Sequence, residues 1–180
     1  MKKVLMIFLL FGLAVGCGMK NTAKIAVEDF LNKYKTNEIN IISELNAIAD
    51  KEDFNESQKE EYIKILKEQY KNLNYEILGE EYEDDEATVT VKITVKDLYK
   101  VGKDVNNYLA ENRSVFNDQN GNFNRDLFLN YNLEQMKNTT DTIDYTIDFF
   151  VTKSGENWYV TQPRITVLEK IHGIYNYDNK

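Results

Sequence analysis

The chain has 180 residues, 42% of them hydrophobic and 12% aromatic, and a formal net charge of −8. That composition is globular and excludes an intrinsically disordered chain. The negative charge is repelled by nucleic-acid phosphates and argues against nucleic-acid binding.

The N-terminal segment carries the strongest signal. Lys2 and Lys3 are positive, Val4 to Leu13 is apolar apart from Gly12, and the small residues Ala14, Val15 and Gly16 lead to Cys17. Positive, apolar, then small is the layout of a secretory signal peptide. The apolar run is about half of the roughly twenty residues that a bilayer-spanning helix needs. A buried core helix is the alternative, but this segment is apolar all round. Cys17 is the only cysteine, so no intramolecular disulfide can form. A free thiol in an exported protein would be a liability.

The stretch Leu13-Ala14-Val15-Gly16-Cys17 resembles the lipobox of bacterial lipoproteins. The resemblance implies that the Cys17 thiol receives a diacylglyceryl group and that the signal is cut just before it. Ala14 stands where that family usually has leucine. Two acyl chains give stable anchoring where one gives only marginal binding. The expected organisation is a signal peptide over 1–16, a lipidated N-terminus and short tether over 17–21, and one domain over 22–180. Loss of Lys2 and Lys3 with the signal makes the remainder still more acidic. That acidity repels anionic head groups, or simply keeps the protein soluble.

After the tether, Thr22 is a plausible N-cap, and Ala23, Ala26, Val27, Phe30, Leu31 and Tyr34 fall on one helical face. Ile41, Ile42, Leu45, Ile48 and Ala49 predict a second helix. Ser57-Gln58-Lys59-Glu60 fits a capping box, followed by Tyr62, Ile65, Leu66, Gln69, Tyr70 and Leu73 at helical spacing. Residues 75–82 read as a strand. The turn Glu83–Glu86 leads to a second strand, with Val89, Val91, Ile93 and Val95 alternating with polar residues. Two helical patterns interrupt the sheet. One carries Val101, Val105, Tyr108, Leu109, Asn112 and Phe116. The other starts near Asn124 and carries Leu127, Phe128, Tyr131 and Met136. Alternation resumes at Ile143, Tyr145, Ile147, Phe149 and Val151. A turn over 154–157 precedes a strand at 158–161 that Pro163 ends. The segment 165–174 is apolar enough to pack, as either helix or strand.

Helices followed by antiparallel strands predict an α+β fold. Ala87-Thr88-Val89-Thr90-Val91 after an acidic turn, and Gly155-Glu156-Asn157-Trp158-Tyr159-Val160, resemble strands of the nuclear transport factor two-like (cystatin-like) lipoprotein domains of bacteria. The resemblance implies N-terminal helices packed on a curved, cone-shaped antiparallel sheet. The stretch 100–138 departs from that family as a two-helix insertion between strands, and leaves the strand order open.

Curved sheets over helices often enclose an apolar pocket. Tyr34, Tyr62, Tyr70, Tyr145 and Trp158 are the residues that could line one, but ordinary core and rim packing is the preferred reading, because aromatics dominate cores. The acidic run Glu80, Glu81, Glu83, Asp84, Asp85 and Glu86 could attract a hard cation, but it lacks the spacing of a cation loop and reads as a solvated turn. Asp118, Asn120, Asn122, Asn124 and Asp126 lie two apart around Gly121 and are calcium candidates. An EF-hand would need an acid where Phe116 stands, so an Asn/Gly turn capping the next helix is preferred. His172 is the only histidine. That rules out His/Cys metal clusters and a Cys–His nucleophile, and no cofactor is expected.

The function expected from sequence is a lipid-anchored extracytoplasmic domain that binds an envelope protein partner or a small apolar ligand and is joined to the membrane through Cys17. An enzyme using carboxylates in the concave pocket and a structural spacer are the alternatives.

Overall fold

The computed structural model describes residues 21–178. Cys17 and the rest of the segment expected to be a signal and lipobox lie outside the described residues. Among the described residues the fold is α+β: six α-helices and a four-stranded antiparallel sheet in the order β1-β2-β3-β4.

Helix α1 (Ala23–Lys35) starts where Thr22 Oγ1 accepts the Ile25 N–H at 3.3 Å, which satisfies one orphan donor of the first turn. It buries Ala23, Val27, Leu31 and Tyr34 along one stripe. Asn37 then adopts a left-handed φ of 51°. The N–H groups of Asn37 and Glu38 return to the carbonyls of Tyr34 and Lys33, which closes the helix as a Schellman turn. Helix α2 (Ile39–Ala49) follows directly and buries Ile41, Leu45 and Ala49.

Helix α3 (Glu56–Lys71) has a capping box, but it is formed by Asn55 and Gln58, two residues before the expected Ser57 and Glu60. Asn55 Oδ1 accepts the Gln58 N–H at 3.0 Å, and Gln58 Oε1 accepts the Asn55 N–H at 3.1 Å. The earlier start leaves the buried Gln58 amide free to donate to Asn130 Oδ1 at 2.9 Å.

Strands β1 (Asn74–Glu83) and β2 (Glu86–Lys96) form a tight hairpin. A register shift between Ile77 and Gly79 leaves Leu78 exposed. Strand β3 (Thr142–Ser154) pairs with the whole of β2, from Glu86↔Thr152 to Lys96↔Thr142. The short β4 (Asn157–Val160) completes the meander. Val89, Val91, Ile93, Ile147, Phe149 and Val151 turn inward and are buried, while Thr90, Thr94, Asp144 and Asp148 face solvent and pair across the strands. This is the period-2 pattern of a sheet buried on one face.

The stretch between β2 and β3 forms α4 (Leu98–Glu111), a 3₁₀ turn (Arg113–Phe116) and α5 (Arg125–Asn138). The insertion leaves strand order undisturbed because it closes at its own neck. The Asp97 N–H donates to the Asp141 carbonyl at 3.0 Å, and Lys100 Nζ bridges Asp104 and Asp141. The segment expected to be helical through Phe116 breaks at Asn112, and the short turn carries Phe116 inward.

Helix α6 (Ile165–His172) resolves the ambiguous tail. It ends at Gly173, with φ of 75°, and the Gly173 carbonyl accepts the Tyr99 N–H at 2.9 Å. A Cβ on Gly173 would collide with the Lys96 carbonyl oxygen and press on the Gln69 side-chain amide. Gly102, within α4, has open space at the same position. Gly173→Ala is therefore expected to cost at least about 2 kcal/mol through strain and displaced backbone. Gly102→Ala should instead stabilise by roughly 0.5–1 kcal/mol through helix propensity. Urea midpoints of the two variants check both signs.

Candidate functional site

The end of the domain where the chain enters is built from both hairpin turns. Asn21 Nδ2 donates to Asn157 Oδ1 at 3.2 Å, next to the β3–β4 turn. Gly155, with φ of 63°, makes that turn possible. The Lys153 N–H donates to the Asp85 carbonyl at 2.8 Å and ties this turn to the β1–β2 turn. The acidic run is thus a hairpin tip, with Asp84 at a φ of 53°. The Tyr82 and Trp158 rings meet edge to face at 5.4 Å, and Lys153 Nζ lies 6.0 Å from the Trp158 centroid. The Tyr82 hydroxyl donates to Glu80 at 2.6 Å. Burial, then Glu80, raises its pKa, so it stays a donor. A surface groove of about 480 Å³ runs beside Asn21 between α1 and β4, lined by Ala26, Phe30, Lys33, Trp158 and Val160 among others.

The five aromatic residues named as pocket candidates do not share a pocket, in line with the preferred reading of core packing. Tyr34 and Tyr70 are buried edge to face at 5.2 Å, and they fill the space between α1 and α3. Tyr62 packs on Phe54 at 5.2 Å, and burial pushes its hydroxyl pKa up to about 12. Tyr145 sits on the inner face of β3 against Tyr175 at 5.8 Å. Only Trp158, at the opposite edge of the sheet, borders one of the grooves described for the domain. The residue types were those of a pocket, but close packing consumed the volume.

The calcium candidates are spent on building their loop. Asp118 Oδ1 accepts the N–H groups of Asn120 and Asn122 at 2.8 and 2.9 Å, and the Asn122 bond above all holds its pKa low. Asn124 Oδ1 accepts the Leu127 N–H at 3.2 Å as the α5 N-cap. Asp126 receives Gln58 Nε2 at 3.4 Å. Among the described residues, no three His, Cys, Asp or Glu side chains gather where they could hold a metal ion.

His172 is buried beneath the end of α6. Its Nδ1 lies 2.5 Å from the Tyr70 hydroxyl, and the two rings tilt together at 5.7 Å. Burial raises the Tyr70 pKa, so the hydroxyl keeps its proton, and which of the pair donates follows from the His172 tautomer. Gln69 Nε2 donates to the carbonyls of Ile171 and His172. These bonds hold the chain end in place, and burial depresses the His172 pKa to about 4.

Helical spacing did not reveal two further clusters. Tyr108 and Tyr131 stack at 5.3 Å between α4 and α5, with Phe116 and Phe128 edge on. Val115, Phe123 and Leu127, from the same stretch, stay exposed. The buried Asp97 caps α4 by accepting the Lys100 N–H at 2.9 Å and takes the Tyr177 hydroxyl at 3.0 Å. An Asp ahead of a helix was the available signal for the cap. Nothing local marks Tyr177.

The depressed His172 pKa sets a pH dependence. Between its unfolded value, near 6.5, and about 4, the unfolded chain binds a proton that the folded chain refuses. Stability is therefore full above pH 6.5, falls as pH drops toward 4, and loses nothing further from this group below that. The loss is up to about 3 kcal/mol. His172→Gln should flatten the slope in that window, as read by urea unfolding at pH 7 and 4.5. Asp144 and Asp178, held low by Lys92 and Lys103 respectively, lose their contribution as pH falls through still lower values.

In comparisons with known proteins, no family model, no curated protein and no solved structure matches the chain.

Proposed function

We propose that the chain is a lipid-anchored extracytoplasmic lipoprotein whose domain binds a protein partner at the cell envelope without catalysing a reaction. One observation carries the anchor: Lys2 and Lys3, the apolar run, the small residues and then Cys17, which is the only cysteine of the chain. Among the described residues, no helix is long and apolar enough to cross a membrane.

The binding role rests on what the domain offers. The aromatic interior is filled, which argues against a small apolar ligand. Exposed apolar side chains on the insertion include Val115, Phe123 and Leu127, and others, among them Ile39, Leu78, Phe150 and Ile165, lie elsewhere on the domain. Exposed apolar groups that adjoin one another mark contact surfaces. Acid catalysis needs a carboxyl held high. Glu61, Glu68, Asp118, Asp144 and Asp178 are each held low by a hydrogen-bond partner. His172 is closed off by Tyr70. The α+β arrangement is compatible with the resemblance to the nuclear transport factor two-like lipoprotein domains.

The anchor is tested by fractionating cells that express the natural chain and Cys17→Ala. The natural chain should pellet with membranes and enter detergent. The variant should leave the membrane fraction. A variant that stays membrane-bound as firmly as the natural chain contradicts the reading.

A further inference from the structure

If Cys17 is the anchor, the tether is short enough to orient the domain. From Cys17 to Asn21 the chain can extend about 14 Å at most, at roughly 3.3–3.6 Å per residue. The diacylglyceryl group sets Cys17 at the inner edge of the headgroup layer. That layer takes up roughly 5–8 Å of each leaflet. Even fully extended, the tether leaves Asn21 less than about 10 Å above the headgroups. Asn21 is in turn hydrogen-bonded to Asn157 at 3.2 Å, and Trp158 is the next residue.

We propose, on the lipoprotein reading above, that the pole carrying both hairpin turns and Trp158 is the membrane-facing surface of the domain, held against the headgroup layer. The chemistry of this pole specifies the lipid surface that suits it. Trp158, Tyr82 and the exposed Tyr159 are amphipathic rings of the kind that sit at headgroup level. Glu80, Glu81, Glu83, Asp84, Asp85 and Glu86 occupy one turn region and Glu156 the other, with Lys153 between them. Lys24 adds a second cation on the first turn of α1, 4.0 Å from Glu28. The balance is strongly negative. The largest clearance the tether allows is close to the Debye length of about 8 Å at physiological salt. The acids therefore sense the charge of the leaflet. The pole seats closely on zwitterionic headgroups and is pushed to the limit of its tether by anionic ones. The α4–α5 insertion, closed at its neck by Asp97 and Asp141, leaves the sheet from the end of β2 opposite the acidic turn. It is presented away from the bilayer.

Trp158 is the only tryptophan, so its emission reads the position of this pole without labelling the protein. Full-length lipidated protein is placed in dioleoylphosphatidylcholine vesicles carrying a nitroxide on the headgroup and recovered by flotation. A short-range quencher at headgroup level should lower Trp158 emission roughly twofold relative to unlabelled vesicles, as for an interfacial aromatic. Replacing part of the phosphatidylcholine with phosphatidylglycerol should reduce the quenching. Adding salt, or the triple change Asp84→Asn, Asp85→Asn and Glu86→Gln, should restore it. Asn tolerates the left-handed backbone at position 84. Protein that floats with the vesicles but shows no quenching overturns the orientation and leaves the anchor standing. Protein that does not float overturns the anchor, and the inference with it. Quenching that is the same on both lipids overturns the role given to the acidic turn.

Discussion

A four-stranded sheet with one apolar face must be covered on that face, and the rest of this molecule follows from that demand. Strand β2 is paired with β3 along the whole of β2, and the two present Val89, Val91, Ile93, Ile147, Phe149 and Val151 to the same side. Each such side chain contributes roughly 1.5–3 kcal/mol when removed from water. Helix α1 lies across β2, β3 and β4, α3 packs behind it, and α6 closes over the end of β2. The outer face carries Thr90, Thr94, Asp144 and Asp148, whose cross-strand bonds keep it soluble and in register.

Covering the face brings polar groups inside, and most of those at the C-terminal junction are answered locally, while Gln69 Oε1 and the Tyr145 hydroxyl find no partner among the described residues. Tyr70 meets His172, Gln69 meets the carbonyls at the end of α6, and Asp97 meets Lys100 N–H and Tyr177. These bonds join the C-terminal helix to α3 and to the neck of the insertion. They also explain why the sole histidine is neutral and enclosed, in a place suited to holding a chain end rather than to moving protons. Gly173 belongs to the same junction, because only a residue without Cβ lets the backbone lie on Lys96.

Much of this was legible in the chain. Thr22 and Asn124 cap the helices they were expected to cap, and the alternation at 89–95 and 143–151 marks the buried face. The start of α3 was misplaced because Asn55-x-x-Gln58 and Ser57-x-x-Glu60 satisfy the same local rule. The contact from Gln58 to Asn130 is tertiary and favours the earlier one. Strand pairing across the insertion was not legible, since periodicity says which face is buried but not which strand lies beside it. The tyrosines were pocket candidates on residue type alone, with ordinary core and rim packing the preferred reading. Type cannot separate a lined cavity from a filled one, and Tyr34 against Tyr70 fills it.

On the proposed lipid anchor these elements share one address. A domain with its aromatic interior filled, its histidine enclosed and its shifted carboxylates held low is suited to presenting a surface, and with that proposed anchor a short tether before Asn21 decides which end is presented outward. That logic depends on Cys17. The most direct measurement is the intact mass of the natural protein extracted from membranes. The account predicts a chain that begins at Cys17 and carries a diacylglyceryl group. A mass corresponding to a chain that retains Met1–Gly16 with an unmodified thiol would contradict it.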